Sequence, residues 1–551
     1  MRSPIKLGMA ILVANQRRVG AFLGYLNIIV KNLVNLVYTP MLLAFVGQAD
    51  YGVYQTSNSF VFSLTLLTFG FSEAYIRFYT QERAKGSEGD IRRLNGMYLM
   101  LYIAVCVVAL ALGLLFSANV GTFFSDSFTD NQVVLAGKLM VIMSFNVAVT
   151  LFSTVFDAYI LAHEQFKFQQ SRQMFTSLAT PGVAFVLLNL GMGAVGVATA
   201  QLAVALTLLV LNARFAVLKL GMRFDVFHFD GSLFLSIAAF SAWIFGNQIC
   251  ELVNQSVPNM LLGALTSAVT VSVFAISIQV RSVFVSLSTV MSNVFVPMIN
   301  RIVATSDDNT KLTRLMTRVG RYQMFLFCWV YCGFVLLGRF FIAKWAGEGF
   351  MDAYWLICAM ALPLGIPLCQ NTGIEIQRAK NKHKARSVVY LCMAGINVVF
   401  TWAMSPILGY WAPAIAYILS ISLGNGLFMN WYYQKRIGLD MVFYWRRNLP
   451  VLLVSACVLA SCLLGSAFMP VTGWALFLCW GAVYTVLFMA AMWAFVLDAD
   501  EKNIRCSPAV PSLGVRCVLC RDEDIQARRC LLLLWRMCRE VPQVVHLHAG
   551  G

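Results

Sequence analysis

The chain has 551 residues, of which 59% are hydrophobic and only 12% are charged, and its mean hydropathy is +0.73. These values exclude an ordinary soluble globular domain. The formal net charge of +16 is typical of a nucleic-acid-binding protein, but the distribution of the basic residues along the chain contradicts that interpretation.

Fourteen apolar segments are long enough to cross a membrane, because about 20 helical residues span a hydrocarbon core roughly 30 Å thick. They are predicted at 19–46, 53–77, 94–118, 132–157, 173–191, 194–213, 232–256, 268–297, 320–342, 351–373, 387–405, 408–432, 449–469 and 474–497. The sequence therefore predicts an all-α polytopic membrane protein with about 14 transmembrane helices.

The basic residues recur at every second gap between these spans. Of the 41 Lys and Arg residues, 36 lie before the first span, in or at the edge of even-numbered gaps, or after the last span. The other gaps and the span ends beside them contain only Lys138, Arg339 and Lys344, while Lys31 and Arg281 lie well inside spans. This positive-inside pattern predicts a bacterial inner-membrane protein with both termini in the cytoplasm. We expect no cleavable signal peptide, because the N-terminus lacks a short apolar run ending in small residues.

A weak internal repeat divides the spans into two sets of six. Val34, Asn35, Met41, Leu42 and Leu43 match, at one constant offset, Val253, Asn254, Met260, Leu261 and Leu262. Pro40 and Pro258 fall near the same point of each copy. Chance identity between apolar helices explains such matches equally well. Two halves with the same topology are nevertheless one transporter architecture, with the substrate site between the halves.

This division predicts four regions: an N-terminal lobe at 1–218, a C-terminal lobe at 219–440, two appended helices at 441–497, and a cytoplasmic tail at 498–551 that is expected to be disordered. The tail contains Cys517-x-x-Cys520, which resembles half of a zinc site. No matching second pair follows, so no metal or other cofactor is predicted. The cysteines in the spans lack paired spacing, so no disulfide framework is expected.

Three charged residues lie well inside spans: Lys31, Glu251 and Arg281. Each costs roughly 2.5–3.5 kcal/mol at membrane depth, so each is a candidate functional residue. In the first interpretation, Glu251 pairs with one of the two bases and only locks helices together. In the second, the bases line a cavity between the halves that binds a phosphate or pyrophosphate.

Under the second interpretation Lys31, Arg281, Asn27 and Asn35 bind the substrate, since both asparagines lie one helical turn from Lys31. Glu251 would then titrate and couple transport to a proton or another cation.

Four more charged residues lie near the predicted cytoplasmic ends of spans: Glu73, Arg77, Asp157 and Glu375. Glu73 and Arg77 have i,i+4 spacing and are expected to pair along their helix. Together the four residues either form an inward gate or are ordinary interfacial charges.

No catalytic constellation is present in the sequence. It has no phosphate-binding loop of Walker type, and the outward gaps are too short to hold the catalytic loop of a polysaccharide polymerase or glycosyltransferase. The sequence therefore predicts a transporter rather than an enzyme.

Three segments, GQADYGVYQ (47–55), GFSEAYIRFY (70–79) and IQRAKNKHKARS (376–387), resemble the Wzx-type polysaccharide-biosynthesis flippases. These belong to the multidrug/oligosaccharidyl-lipid/polysaccharide exporter (MOP) superfamily, and the resemblance extends over roughly residues 15 to 440. It implies two six-helix lobes around a V-shaped cavity and the flipping of undecaprenyl-diphosphate-linked oligosaccharide. The related peptidoglycan-precursor flippases have essential basic residues in their first and eighth helices. Lys31 and Arg281 are the analogous candidates, although the first of those bases is an arginine in the relatives.

The main hypothesis is thus a flippase for O-antigen, capsule or exopolysaccharide assembly. Its expected partners are a polyprenyl-diphosphate-linked glycan, anionic lipid attracted by the basic loops and the polysaccharide polymerase machinery, with no nucleic acid. The alternative is an ion-coupled multidrug exporter of the same superfamily. A cavity for cationic drugs should be acidic, whereas the predicted cavity has two bases and one acid.

Overall fold

A computed structural model describes residues 4–227, 231–293, 295–305, 308–380, 382 and 384–497. The predicted tail at 498–551, with Cys517 and Cys520, lies outside the described residues. Within the described ranges all regular structure is helical and no strand occurs, so the prediction of an all-α protein is confirmed.

We use the name N lobe for residues 4–219 and C lobe for residues 231–437. The N lobe contains α1 (Pro4–Val46), α2 (Gln48–Ser63), α3 (Phe71–Lys85), α4 (Glu88–Ala118), α5 (Val120–Phe124), α6 (Asp130–Ala162), α7 (Phe166–Asn189) and α8 (Gly193–Arg214). The C lobe contains α9 (Gly231–Gln255), α10 (Val257–Leu265), α11 (Ala268–Asn293), α12 (Val296–Thr305), α13 (Asn309–Trp345), α14 (Met351–Cys369), α15 (Asn371–Ala379), α16 (Lys384–Leu408), α17 (Trp411–Ile421) and α18 (Asn430–Tyr432). Two further helices follow: α19 (Met441–Phe468) and α20 (Trp474–Ala491).

Every predicted span corresponds to a helix or to a nearly continuous helical stretch. Among the described residues, 12 such stretches are long and apolar enough to cross a membrane. The remaining two predicted spans, 173–191 and 232–256, form α7 and α9, which have 24 and 25 residues. The chain is a multi-pass membrane protein.

Large apolar side chains cover much of the outer surface. Phe468 is 87% exposed and Phe495 is 78% exposed, both at the ends of the two appended helices. Exposing one such side chain to water costs about 1.5–3 kcal/mol. The hydrocarbon of a bilayer removes that cost, so this surface is suited to lipid.

The second span is broken in its middle. After α2 the chain forms a 3₁₀ turn (Leu64–Thr68), and then Phe69 and Gly70 adopt left-handed conformations with φ of 48° and 72°. The hydroxyl of Thr68 donates a hydrogen bond to the Thr65 carbonyl oxygen, which satisfies a carbonyl that the break releases. The sequence predicted one continuous span here, and only the structure reveals the bend.

The same pairs of equivalent helices are neighbours in both lobes. In the N lobe, α1 packs on α7, α4 on α6, α6 on α8 and α2 on α6. The equivalent spans of the C lobe form the pairs α9–α16, α13–α14, α14–α17 and α11–α14. Each lobe therefore surrounds its own interior with helices in the same order.

The lobes meet along α2, which packs against α10 and α11. We call the end of the bundle that carries the Arg- and Lys-rich loops the basic end, and the other the opposite end. Near the opposite end, a Cβ atom at Gly52 would lie 1.8 Å from the Ala268 carbonyl oxygen, so the two backbones touch. Hydrogen bonds also cross between the lobes there, and they include those from Asn259 to Ser59, from Ser127 to the Ala264 carbonyl, from Trp345 to the Leu36 carbonyl and from Gln48 to the Gly349 carbonyl. These contacts seal the opposite end.

A smaller contact between the lobes lies toward the basic end, between α3 and α9. The guanidinium carbon of Arg77 lies 4.5 Å from the centre of the Phe240 ring. Among the described side chains, no ion pair joins Arg77 to Glu73. The predicted pairing within α3 is therefore wrong, because the aromatic face across the lobe interface holds the guanidinium instead.

Candidate functional site

The N lobe encloses a cavity of about 640 Å³ between α1, α6, α7 and α8, in the half of the lobe nearer the basic end. We call it the N-lobe cavity. Its lining has three apolar side chains, Pro181, Ala205 and Leu208. The other lining residues are polar: Asn27, Lys31, Asn35, Tyr38, Thr150, Ser153, Thr154, Asp157, Arg172, Gln173, Thr176, Ser177, Thr180, Gln201 and Asn212. A lining this polar at membrane depth requires water or a polar ligand.

The stripe predicted on the first span faces this cavity. Asn27 is buried and its side-chain amide donates to the Gln173 side-chain oxygen at 3.0 Å. Lys31, Asn35 and Tyr38 continue along the same wall of α1. Among the described side chains Lys31 has no acidic partner within ion-pair distance. Its charge is available to the contents of the cavity.

An ion pair crosses the N-lobe cavity near its basic end. Nη1 of Arg172 lies 2.6 Å from Oδ1 of Asp157, and 11% and 33% of these two side chains are exposed. The same guanidinium nitrogen donates to the Asn212 side-chain oxygen at 2.9 Å, and Asn212 in turn donates to the Ser153 hydroxyl at 2.9 Å. Asp157, predicted as a gate residue, thus lies in a network that joins α6, α7 and α8.

Arg172 is a site residue that the sequence analysis missed. The predicted fifth span begins at residue 173, which leaves Arg172 among the basic residues of the gap before it. In the structure α7 begins at Phe166, so Arg172 lies well inside the helix. A signal was available: Arg172, Thr176 and Thr180 follow each other at i,i+4 spacing and form one polar helix face.

The C lobe has a second cavity of about 550 Å³, which we call the C-lobe cavity. Arg281 on α11 lines it and is only 7% exposed. Its guanidinium carbon lies 4.1 Å from the centre of the Tyr417 ring. No acidic side chain forms an ion pair with Arg281 in the described part of the chain. Among the described side chains, the Tyr417 ring is the group that faces the charge of this buried arginine, and the cavity lies beside it.

Lys31 lines the N-lobe cavity and Arg281 lines the C-lobe cavity, and neither cavity contains both side chains as far as the described residues define it. The repeat noted in the sequence follows the same division: Asn35 lines the N-lobe cavity and its counterpart Asn254 lines the C-lobe cavity. Glu251 belongs to α9, but its side chain lies outside the described residues.

The remaining candidate gate residues lie apart from both cavities. Arg77 bridges the lobes at Phe240, as described above, and Glu73 is exposed one turn earlier on α3. Glu375 on α15 pairs with Arg378, and Nη1 of Arg378 lies 2.8 Å from Oε1 of Glu375. Of the four, Asp157 is the one that lines either of the two cavities as the described residues define them.

Known structures share this architecture. The lipid II flippase MurJ in an inward closed conformation matches with a TM-score of 0.68 and 13% identity over 85% of this chain and 97% of that chain. An inward-facing multidrug resistance MATE family transporter of the MOP superfamily matches with a TM-score of 0.57 and 15% identity, over 74% and 94%. A mutant of the Vibrio cholerae MATE transporter VcmN matches with a TM-score of 0.50 and 12% identity, over 77% and 99%. None of the curated proteins matches the chain by sequence.

The two lobes, their matching helix pairs and these structural similarities define a membrane protein with the fold of the MOP superfamily transporters. A family model described as polysaccharide biosynthesis protein matches residues 42–355, which is more than half of the chain. The chain belongs to this polysaccharide biosynthesis protein family. The resemblance seen in the sequence is therefore confirmed.

Proposed function

We propose that the protein flips a polyprenyl-diphosphate-linked oligosaccharide, such as one linked to undecaprenyl diphosphate, across the bacterial inner membrane for polysaccharide assembly. The head group enters from the cytoplasm at the basic end and leaves toward the periplasm at the opposite end, while the polyprenyl chain stays in lipid. Membership of the polysaccharide biosynthesis protein family supports this substrate class, and MurJ, which has a similar fold, is a lipid II flippase.

The observation that carries the proposal is the environment of Arg281. Arg281 is only 7% exposed, lines a cavity and has no acidic partner in the described part of the chain. Such an arginine is suited to bind an anionic ligand. Its guanidinium fork matches the oxygens of a phosphate group in a bidentate arrangement. Lys31 supplies a second unpaired charge from the N lobe.

Charge also favours a flippase over an exporter of cationic drugs. The charged residues that line the two cavities are Lys31, Arg172, Arg281 and Asp157. The one acid among them is already paired with Arg172. A cationic drug would need an unpaired acid at membrane depth, whereas a diphosphate finds Lys31 and Arg281, two bases without an acidic partner among the described side chains.

Transport requires the lobes to open alternately toward the two sides of the membrane. The tight contact at Gly52 and Ala268 closes the opposite end in this conformation, so the lobes must separate there before the head group can leave toward the periplasm. The contact of Arg77 with Phe240 is then part of a gate at the basic end, and Glu73, Asp157 and Glu375 remain proposed members of it.

The decisive experiment is a deletion of the gene followed by extraction of lipid-linked oligosaccharide from the inner membrane. We expect the deletion strain to accumulate this lipid on the cytoplasmic side and the wild-type gene to restore normal glycan. Arg281→Ala and Lys31→Ala should fail to restore it at normal membrane levels of protein. Arg281→Lys should restore it only weakly, since an ammonium group replaces neither the planar stack on Tyr417 nor the bidentate contact.

Lys138→Ala is the matched control, because Lys138 is an exposed base outside both cavities, and it should restore glycan fully. Unchanged glycan in the deletion strain, together with altered sensitivity to cationic drugs, would instead establish the multidrug exporter. Full restoration by both cavity variants would refute the assignment of Lys31 and Arg281.

A further inference from the structure

We infer that the N-lobe cavity is the saccharide subsite of the transporter, and that it binds the first sugar residues of the glycan by hydrogen bonds to their hydroxyl and acetamido groups. This inference rests on the proposed function and deepens it, because it assigns side chains to the recognition of the sugar in addition to those that bind the diphosphate. The polar lining of the N-lobe cavity supports it.

The lining of the N-lobe cavity is dominated by amides and hydroxyls. Five carboxamides, from Asn27, Asn35, Gln173, Gln201 and Asn212, surround its space together with the hydroxyls of serine, threonine and tyrosine side chains. A carboxamide both donates and accepts, as each sugar hydroxyl does, so the two chemistries match. The volume of about 640 Å³ lies within the range of cavities that enclose a ligand.

Two of these polar groups, one buried and one half-buried, have no hydrogen-bond partner among the described residues. The Tyr38 hydroxyl is buried and forms no hydrogen bond, and no hydrogen bond of the Asn35 carboxamide occurs within the described part of the chain. A buried polar group that stays unpaired costs about 1–3 kcal/mol, so such groups persist where a ligand or water satisfies them. Both lie on the wall of α1 that carries Lys31.

The charged residues of the cavity fit the same ligand. Asp157 is paired with Arg172, so the cavity offers no free acid to a cation. Lys31 remains unpaired and lies one helical turn from Asn35 on α1. A glycan whose anionic linkage lies beside Lys31 would therefore place its sugars against Asn35 and Tyr38.

The lining also argues against an apolar ligand. Drug-sized apolar molecules bind in cavities lined mainly by hydrophobic and aromatic side chains. Here the apolar lining residues are Pro181, Ala205 and Leu208, and the aromatic one is Tyr38. The polyprenyl chain therefore has no place in this cavity and stays in the bilayer.

The test compares two lipids on the purified full-length protein. One is undecaprenyl diphosphate, and the other is the lipid-linked oligosaccharide extracted from the deletion strain. We expect the wild type to bind the oligosaccharide form more tightly. Tyr38→Phe and Asn35→Leu should each reduce that affinity by about three- to tenfold, the effect of one lost hydrogen bond. Neither substitution should change the affinity for undecaprenyl diphosphate.

Tyr98→Phe is the matched control: Tyr98 is a buried tyrosine of the same lobe outside the cavity, and this variant should bind both lipids as the wild type does. If the wild type binds both lipids equally, or if the cavity variants lose both affinities together, the saccharide subsite is refuted. If the wild type binds neither lipid, or if the deletion strain accumulates none, the proposed function fails as well. The two failures are therefore distinguishable.

Discussion

At the scale of single residues, the three charged groups of the N-lobe cavity differ in their partners. Arg172 is held by Asp157 and by the side chain of Asn212, whereas Lys31 faces the cavity and has no ion-pair partner among the described side chains. Arg172 and Asp157 therefore organise the walls of the cavity, since together they tie α6, α7 and α8. Lys31 is left to act on a ligand.

This difference predicts an asymmetry between single and double substitutions. Arg172→Met leaves the Asp157 carboxylate uncompensated and should lower the free energy of unfolding. We expect a loss of about 1–2 kcal/mol, less than the 3–5 kcal/mol of a fully buried broken pair, because solvent reaches Asp157. The double variant Arg172→Met with Asp157→Asn should recover part of the loss. Thermal unfolding of the detergent-purified protein measures both.

Lys31→Met serves as the comparison, because Lys31 has no ion pair to break in the described part of the chain. Its midpoint should stay at or above that of the wild type. A double variant less stable than Arg172→Met alone would contradict the assignment of the pair as a structural link.

At the scale of elements, the second span makes two separate contacts with the C lobe because it is broken in the middle. Its first part, α2, forms the tight interface with the C lobe at the opposite end, and its second part, α3, contacts α9 toward the basic end. The bend at Phe69 and Gly70 separates the two contacts. One contact can then change while the other is retained, as alternating opening requires.

The contact at Gly52 leads to a prediction about the conformational equilibrium. In Gly52→Ala the new methyl group would collide with the Ala268 backbone, so the opposite end cannot close as it does here. We expect the population to shift toward the state open at that end. Distances between labels placed on α2 and α11 should lengthen, and transport should fall.

Gly182→Ala is the control for helix propensity. Gly182 lies inside α7 and a Cβ atom there meets nothing within 4 Å, so this change should stabilise the helix by up to about 1 kcal/mol. Unaltered distances and full transport in Gly52→Ala would show that the seal at Gly52 is not part of the cycle.

The connection between α6 and α7 contains a titratable contact at the basic end. Nδ1 of His163 donates to the Tyr159 carbonyl oxygen and its Nε2 accepts from the Tyr79 hydroxyl, both at 2.9 Å. Burial lowers the pKa of His163 below its ordinary value of 6.5. The folded protein therefore binds a proton at His163 less readily than the unfolded chain does.

The contribution of neutral His163 to the free energy of unfolding is complete above about pH 6.5. It is lost as the pH falls through the lowered pKa of His163 in the folded protein. We expect the unfolding midpoint of the wild type to drop between pH 7 and pH 5. In His163→Gln, which cannot titrate, the drop should be smaller. Equal pH profiles for the two proteins would contradict the role of His163.

At the scale of the whole molecule, charge and hydropathy define an orientation. The basic loops gather at one end, and exposed apolar side chains cover the flanks. Because positive charge stays on the cytoplasmic side during insertion, the basic end should be cytoplasmic. The sealed interface at Gly52 then lies on the periplasmic side.

Cysteine labelling in a variant without native cysteines tests this orientation. Asp126→Cys, in the exposed loop after α5, should react with a membrane-impermeant maleimide in intact cells. Glu88→Cys, at the start of α4, should react only after the membrane is permeabilised. The reverse pattern would invert the proposed direction of transport.

Much of the fold could be read from the sequence for a simple physical reason. A membrane helix must satisfy its backbone hydrogen bonds internally and must present an apolar surface about 20 residues long, so each span is recorded locally in the chain. For the same reason the polar stripe of Asn27, Lys31 and Asn35 predicted a cavity wall. The repeat predicted one substrate site between the halves, whereas in the structure Asn35 and Asn254 each line the cavity of their own lobe.

The sequence by itself thus determined the helical class, the spans and which face of α1 is polar. Only the tertiary structure decided that Lys31 and Arg281 line separate cavities, that Arg172 belongs to one of them and that Arg77 reaches Phe240 rather than Glu73. The reason is that such pairings depend on how helices distant in the chain rotate and pack against one another. The spacing of polar residues within one segment does not show which neighbouring helix its polar face will contact.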